Sequence, residues 1–120
     1  MDTQHFSEVN KKRCDECYHK IEDWSPTDWA CALAGEVGEL CNFLKKMRRG
    51  KNVDIKKIRH EIGDVFTYLD LLSQRLGVDM FECAIEKFNI VSDKFETNIK
   101  YEDVPEYKIT SLKKYRGKII

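Results

Sequence analysis

Between Pro26 and Leu76 the chain holds two long segments in which apolar side chains recur every three or four residues, joined only by Gly50 to Asp54. That period belongs to amphipathic helices, and so short a connection makes them a helical hairpin. The first stripe is Trp29, Leu33, Val37, Leu40, Leu44 and Met47, and the second is Ile55, Ile58, Ile62, Val65, Leu69, Leu72 and Leu76. Ser25 suits an N-cap, Pro26 the first helical position, and Asp28 the third, as in a capping box with Asp in place of Glu. The spacing therefore predicts a helix over 26–49, stopped by Gly50. Asp54 caps a second over 55–76, closed by Gly77.

Weaker patterns flank the hairpin. Phe6, Val9, Cys14, Cys17, Tyr18 and Ile21 predict a helix over 4–22. Asp79 caps a further helix reaching Lys94 or Thr97, with Phe81, Ala84, Ile85, Phe88, Val91 and Phe95 on one face. Beyond Asn98 the periodicity weakens, so 1–98 reads as one all-α domain and 99–120 as a C-terminal arm or tail. Only two prolines and six glycines occur among 120 residues, which favours long helices over a many-stranded sheet. The 42% hydrophobic share leaves a small helical domain short of cover for its own stripes, so a four-helix core completed by dimerisation is expected.

Lys plus Arg and Asp plus Glu each number 21, so no net basic field argues for nucleic acid or a membrane surface. No apolar run approaches the ~20 residues of a membrane span. The opening Met1-Asp2-Thr3-Gln4-His5 lacks a basic, then apolar, leader pattern, so secretion is not expected. Five cysteines, an odd number spread over predicted helices, suit reduced thiols in a cytoplasm. Cys14-Asp15-Glu16-Cys17 is a CxxC without a second ligand pair for zinc and without the βαβ context of a redox motif.

Inside the hairpin lie two acidic stretches, Glu36-Val37-Gly38-Glu39 and Glu61-Ile62-Gly63-Asp64. Residues three apart share a helix face, so each stretch aims two carboxylates one way. Packed helices would then bring four acids into one cleft. Carboxylates that close repel unless some are protonated or a cation sits among them. A hard divalent ion, Mg²⁺ or its stand-in Mn²⁺, takes oxygen ligands and keeps room for substrate phosphates. Gly35 and Gly38 cost about 1 kcal/mol each against alanine in a helix interior. Close approach of a phosphate group, or of another helix, would offset that loss. Lys45-Lys46-Met47-Arg48-Arg49-Gly50-Lys51 suits a helix C-terminus. Lys46, two turns beyond Glu39 on its face, is the best placed of them to meet phosphate charge.

The string Trp29-Ala30-Cys31-Ala32-Leu33-Ala34-Gly35-Glu36-Val37-Gly38-Glu39-Leu40 resembles the first motif helix of the MazG-like, all-α NTP pyrophosphohydrolases, whose hallmark is ExxE followed at an interval by ExxD. Here 21 residues separate Glu39 from Glu61, and Glu61-Ile62-Gly63-Asp64-Val65-Phe66-Thr67-Tyr68-Leu69 resembles the second motif helix. The similarity runs from about residue 24 to 95. It implies Mg²⁺-dependent hydrolysis of a nucleoside triphosphate to the monophosphate and pyrophosphate. Glu36, Glu39, Glu61 and Asp64 would be the metal and catalytic carboxylates. Tyr68, Lys87 and Asn89 would face substrate, and Trp29 or Trp24 would stack on the base. Homodimers or homotetramers are implied too. House-cleaning of non-standard nucleotides, control of dCTP or dUTP, and a broader activity all fit these motifs. The rival readings are a non-catalytic helical interaction module and a di-iron or di-manganese bundle, though the latter uses Glu-x-x-His pairs that neither motif supplies.

Overall fold

The computed structural model describes residues 1–101. Its elements are α1 (Thr3–Cys17), a 3₁₀ turn (Ile21–Asp23), α2 (Pro26–Arg48), α3 (Ile55–Leu76) and α4 (Met80–Lys94), with no strand among the described residues. The chain is all-α. No helix of the described residues is long and apolar enough to cross a membrane.

Local chemistry sets the helix ends. Ser25 Oγ accepts the Asp28 N–H at 3.1 Å while Asp28 Oδ2 accepts the Ser25 N–H at 2.9 Å, a reciprocal box that starts α2. Asp54 and Asp79 cap α3 and α4 through their carboxylates. Gly77 closes α3 at φ 74°, a left-handed conformation that glycine reaches without strain.

The dominant packing is α2 against α3, with α1 and α4 both leaning on α3. A compact core forms where α1, the 3₁₀ turn, the start of α2 and the C-terminal half of α3 meet. Cys14, Ile21, Trp29 and Leu71 are buried there, with Trp24, Tyr68 and Leu72 against them. Trp29 is 1% exposed and its indole N–H donates to the Ile21 carbonyl at 3.0 Å. Phe66 meets Phe6 at 5.1 Å and Phe81 at 5.6 Å between ring centres, so α3 carries both outer helices.

A polar clasp joins α1 to α3. Asp70 is buried and accepts hydrogen bonds from Ser7 Oγ at 2.6 Å, Asn10 Nδ2 at 2.9 Å and Gln74 Nε2 at 2.9 Å. Asn10 Nδ2 also donates to the Thr67 carbonyl at 3.0 Å. Both amide hydrogens are thereby engaged, which fixes the amide's orientation and leaves Oδ1 as its only remaining polar atom.

Two expectations need correction. The first helix ends at Cys17, not residue 22, and Tyr18 and Val9 of its expected apolar face are 65% and 51% exposed. Its true inner face runs Phe6, Asn10 and Cys14, so the face is shorter and partly polar. The α3 stripe is not all core either: Ile55, Ile62 and Leu69 are 60%, 54% and 39% exposed, and Val37, Leu44 and Met47 of α2 are exposed as well. The reason is geometric. Two helices can cover only one side of each other, and α1 and α4 shield α3 elsewhere. Past Phe95 the chain turns back along α4, with the Lys100 ammonium on Asp93 and the Tyr101 N–H donating to Asn89 Oδ1. Of the expected arm at 99–120, residues 102–120 lie outside the described ones.

Candidate functional site

Halfway along the hairpin, α2 supplies Glu36 and Glu39 and α3 supplies Glu61. One carboxylate oxygen from each lies within 4.8 Å of the others. Oδ atoms of Asp64 are not part of this group. Among the described residues no other cluster of His, Cys, Asp or Glu is so arranged. Glu36 Oε2 and Glu61 Oε2 are buried and accept no hydrogen bond. An orphaned carboxylate oxygen inside a protein is costly, and two that face a third carboxylate are more so.

The acids register that cost. Loss of water around Glu61, with Glu36 and Glu39 beside it, pushes its carboxyl up to about 7. Burial raises Glu36 as well, with the charges of Asp64 and Glu39 adding to the effect and Glu61 opposing it. Oxygen-only donors, two lacking any protein partner, fit a hard divalent cation.

Beside the cluster is a cavity of about 240 Å³, lined by Glu36, Asp64, Tyr68 and Thr67 on the hairpin side and by Asn10, Arg13 and Tyr18 on the α1 side, with Leu71 at its base. Burial and the nearby Glu36 raise the Tyr68 phenol, which keeps its proton and remains a donor. Arg13 is exposed, has no ion-pair partner among the described residues, and is the one cation of this lining. A Cβ on Gly35, Gly38 or Gly63 would meet nothing within 4 Å. Tight packing inside the chain therefore does not account for them.

The structure thus brings Glu36, Glu39 and Glu61 together, with Asp64 and Tyr68 lining the adjoining cavity alongside Glu36. The remaining expected residues stand elsewhere. Trp29 is sealed in the core, and the half-buried indole next to it is Trp24, at 4.7 Å between ring centres. Lys46 reaches the Phe43 ring at 5.7 Å and does not line the cavity. Lys87 and Asn89 lie on α4, outside that lining, and Asn89 holds the Tyr101 backbone. Asn10, Arg13, Tyr18 and Thr67 were not anticipated. The available signal was a polar Asn10 spaced four residues from both Phe6 and Cys14 on the inner face of α1. In the CxxC, Cys14 is buried and Cys17 exposed, and both are unpaired.

The raised carboxyls make a prediction for the metal-free protein. A group easier to protonate folded than unfolded stabilises the fold fully below its ordinary value of 4.5, and that stabilisation drains away as pH climbs through about 7. Asp28, held low by its bonds to Ser25, acts oppositely and weakens the fold only under more acid conditions. In chelator the Tm should therefore fall between about pH 5 and 7 and level off above, and saturating Mg²⁺ should flatten the slope. A Tm that is flat with pH in chelator, or slopes equally with Mg²⁺, would show that the acids do not crowd one another.

No protein-family model matches the chain, and no curated protein or solved structure matches it.

Proposed function

We propose that the chain is a nucleoside triphosphate pyrophosphohydrolase of the MazG-like kind, working as a homodimer or a pair of dimers in the cytoplasm. The observation that carries this is the group of three carboxylates from two helices, two of them with orphaned buried oxygens, opening beside a polar cavity. Glu36, Glu39 and Glu61 would hold Mg²⁺, with Asp64 approaching from the cavity side. Bound there, the cation would neutralise phosphate charge and acidify a water at the site.

The chain's own groups supply orientation and proton handling. A carboxylate of the Glu36–Glu39 pair orients the attacking water as general base. Tyr68 keeps its phenolic proton and offers it to a phosphate or sugar oxygen. Arg13 is better placed than Lys46 or Lys87 to meet the polyphosphate. Asn10, its amide fixed by Asp70 and Thr67, offers Oδ1 to a sugar hydroxyl or base N–H. Trp24, half-buried where Trp29 is sealed, replaces it as the tryptophan available to a base.

The exposed stripe of Ile55, Ile62 and Leu69 with Val37 and Leu44 is the basis for the dimer. Residues seven apart on each helix form a seam that a second hairpin can cover. That seam also favours the rival reading, a helical interaction module without catalysis. A pyrophosphate-release assay across individual NTPs and dNTPs separates them. Turnover of at least one nucleotide with Mg²⁺, and none in chelator, is expected; a flat panel with Mg²⁺ and Mn²⁺ leaves only the interaction module.

A further inference from the structure

We propose that the closed end of the α2–α3 hairpin is a docking surface for a nucleic-acid phosphate backbone, read without regard to base sequence. The neutral net charge of the chain conceals a segregation: eight of its 21 cations but only one of its 21 acids fall between Lys45 and Arg59. The basic run that ends α2 and the trio Lys56, Lys57 and Arg59 that opens α3 meet at the same end, because a short loop joins the two helices.

Three observations set this patch apart from ordinary solvated charge. Every one of the eight side chains is exposed, and none forms an ion pair among the described residues. The two halves form one surface: Lys46 of α2 and Lys57 of α3 stand 5.7 and 6.0 Å from the centre of the same Phe43 ring. Most telling is α3. Cations at the C-terminus of α2 complement the helix dipole, but those at the start of α3 oppose it, and its first turn contains no acid to compensate. The one acid there, Asp54, is occupied as the cap. The α3 dipole therefore disfavours Lys56 and Lys57 where they stand, whereas an anionic partner would draw on both their charge and the dipole.

The partner's chemistry follows from what the patch holds. Eight cations over two helix ends about 10 Å apart exceed what the phosphates of one nucleotide can match and suit a run of phosphates. The patch offers no exposed aromatic ring for base stacking, since Phe43 is half-buried beneath its lysines, so backbone contact without base readout is expected.

The test is fluorescence anisotropy of the full chain with a labelled single strand of about twenty mixed nucleotides, titrated over a range of salt concentrations. Binding should weaken with salt at a log–log slope corresponding to about four or more phosphate contacts, and a scrambled sequence should bind equally. Lys56→Gln/Lys57→Gln/Arg59→Gln should weaken binding about tenfold and reduce the slope by about two, while its Tm stays level or rises because opposing charges leave the α3 dipole. Arg48→Gln/Arg49→Gln, on the other helix, should weaken binding as well. The proposal is overturned by absence of binding at low salt, by binding that survives both variants, by strong sequence preference, or by capture on phosphatidylserine vesicles without any on the oligonucleotide.

Discussion

Glu61→Gln is expected to remove Mg²⁺ binding and pyrophosphate release while making the metal-free protein melt higher than its parent. Both effects come from one geometry. Glu61 brings a third oxygen within 4.8 Å of those of Glu36 and Glu39, and its Oε2 is buried without a donor. Water loss and the two neighbouring acids raise its carboxyl to about 7, so above that pH the folded chain holds a charge that its surroundings disfavour. Glutamine keeps the shape and removes the charge, which relieves Glu36 and Glu39 but takes away an anionic ligand. Turnover should fall on the order of 10²-fold or more, as for loss of a group that acts at the reacting centre. Glu39→Gln should behave alike. Asp64→Asn should also lose turnover yet retain much of the Mg²⁺-induced rise in Tm, because Asp64 faces the cavity and not the three-oxygen group. Calorimetric Mg²⁺ titration, melting in chelator and the release assay read these separately. Parent-like Mg²⁺ affinity in Glu61→Gln, or full turnover in all three variants, would sink the site.

What was legible in the sequence was local. Ser25 with Asp28, Asp54, Gly77 and Asp79 fixed the ends of α2, α3 and α4 to within a residue or so, because caps and left-handed closures are settled by side chains a few positions away. The acid pairs were legible for the same reason, since helical spacing alone gives Glu36 and Glu39 a common face. Burial was not. Ile62 and Trp29 look alike in a periodic pattern, yet one is 54% exposed and the other 1%, because burial depends on which other helix arrives. The cavity wall was hidden likewise. Asn10 is held there by Asp70 and the Thr67 carbonyl, about sixty residues away in sequence, and nothing in a weakly periodic first helix announces those partners. Lys87 and Asn89 were linked to the site by resemblance, while the packing of α4 on α3 leaves both out of the cavity lining.

Trp29→Ala should produce the largest loss of stability of any single change in the described chain. Six apolar side chains among the described residues are buried, only Trp29 and Cys14 of them fully, and Trp29 is the largest and belongs to the core cluster with Cys14, Ile21 and Leu71. Removing a buried tryptophan costs about 3–5 kcal/mol, against a total of roughly 5–15 for a domain of this kind. The Tm should drop by roughly 15–30 °C, or the cooperative transition should vanish. Trp29→Phe separates packing from function. It keeps an aromatic body but leaves the Ile21 carbonyl without its indole donor, a loss of about 1–3 kcal/mol. Tyr68, whose ring centre lies 6.2 Å from that of Trp29, remains supported by Leu71 and Leu72 on its own helix. If Trp29 is core, Trp29→Phe melts lower yet keeps the parent KM, while Trp24→Ala raises KM. A raised KM in Trp29→Phe with unchanged melting would mean that this indole meets the nucleotide after all, and that the core opens when substrate binds.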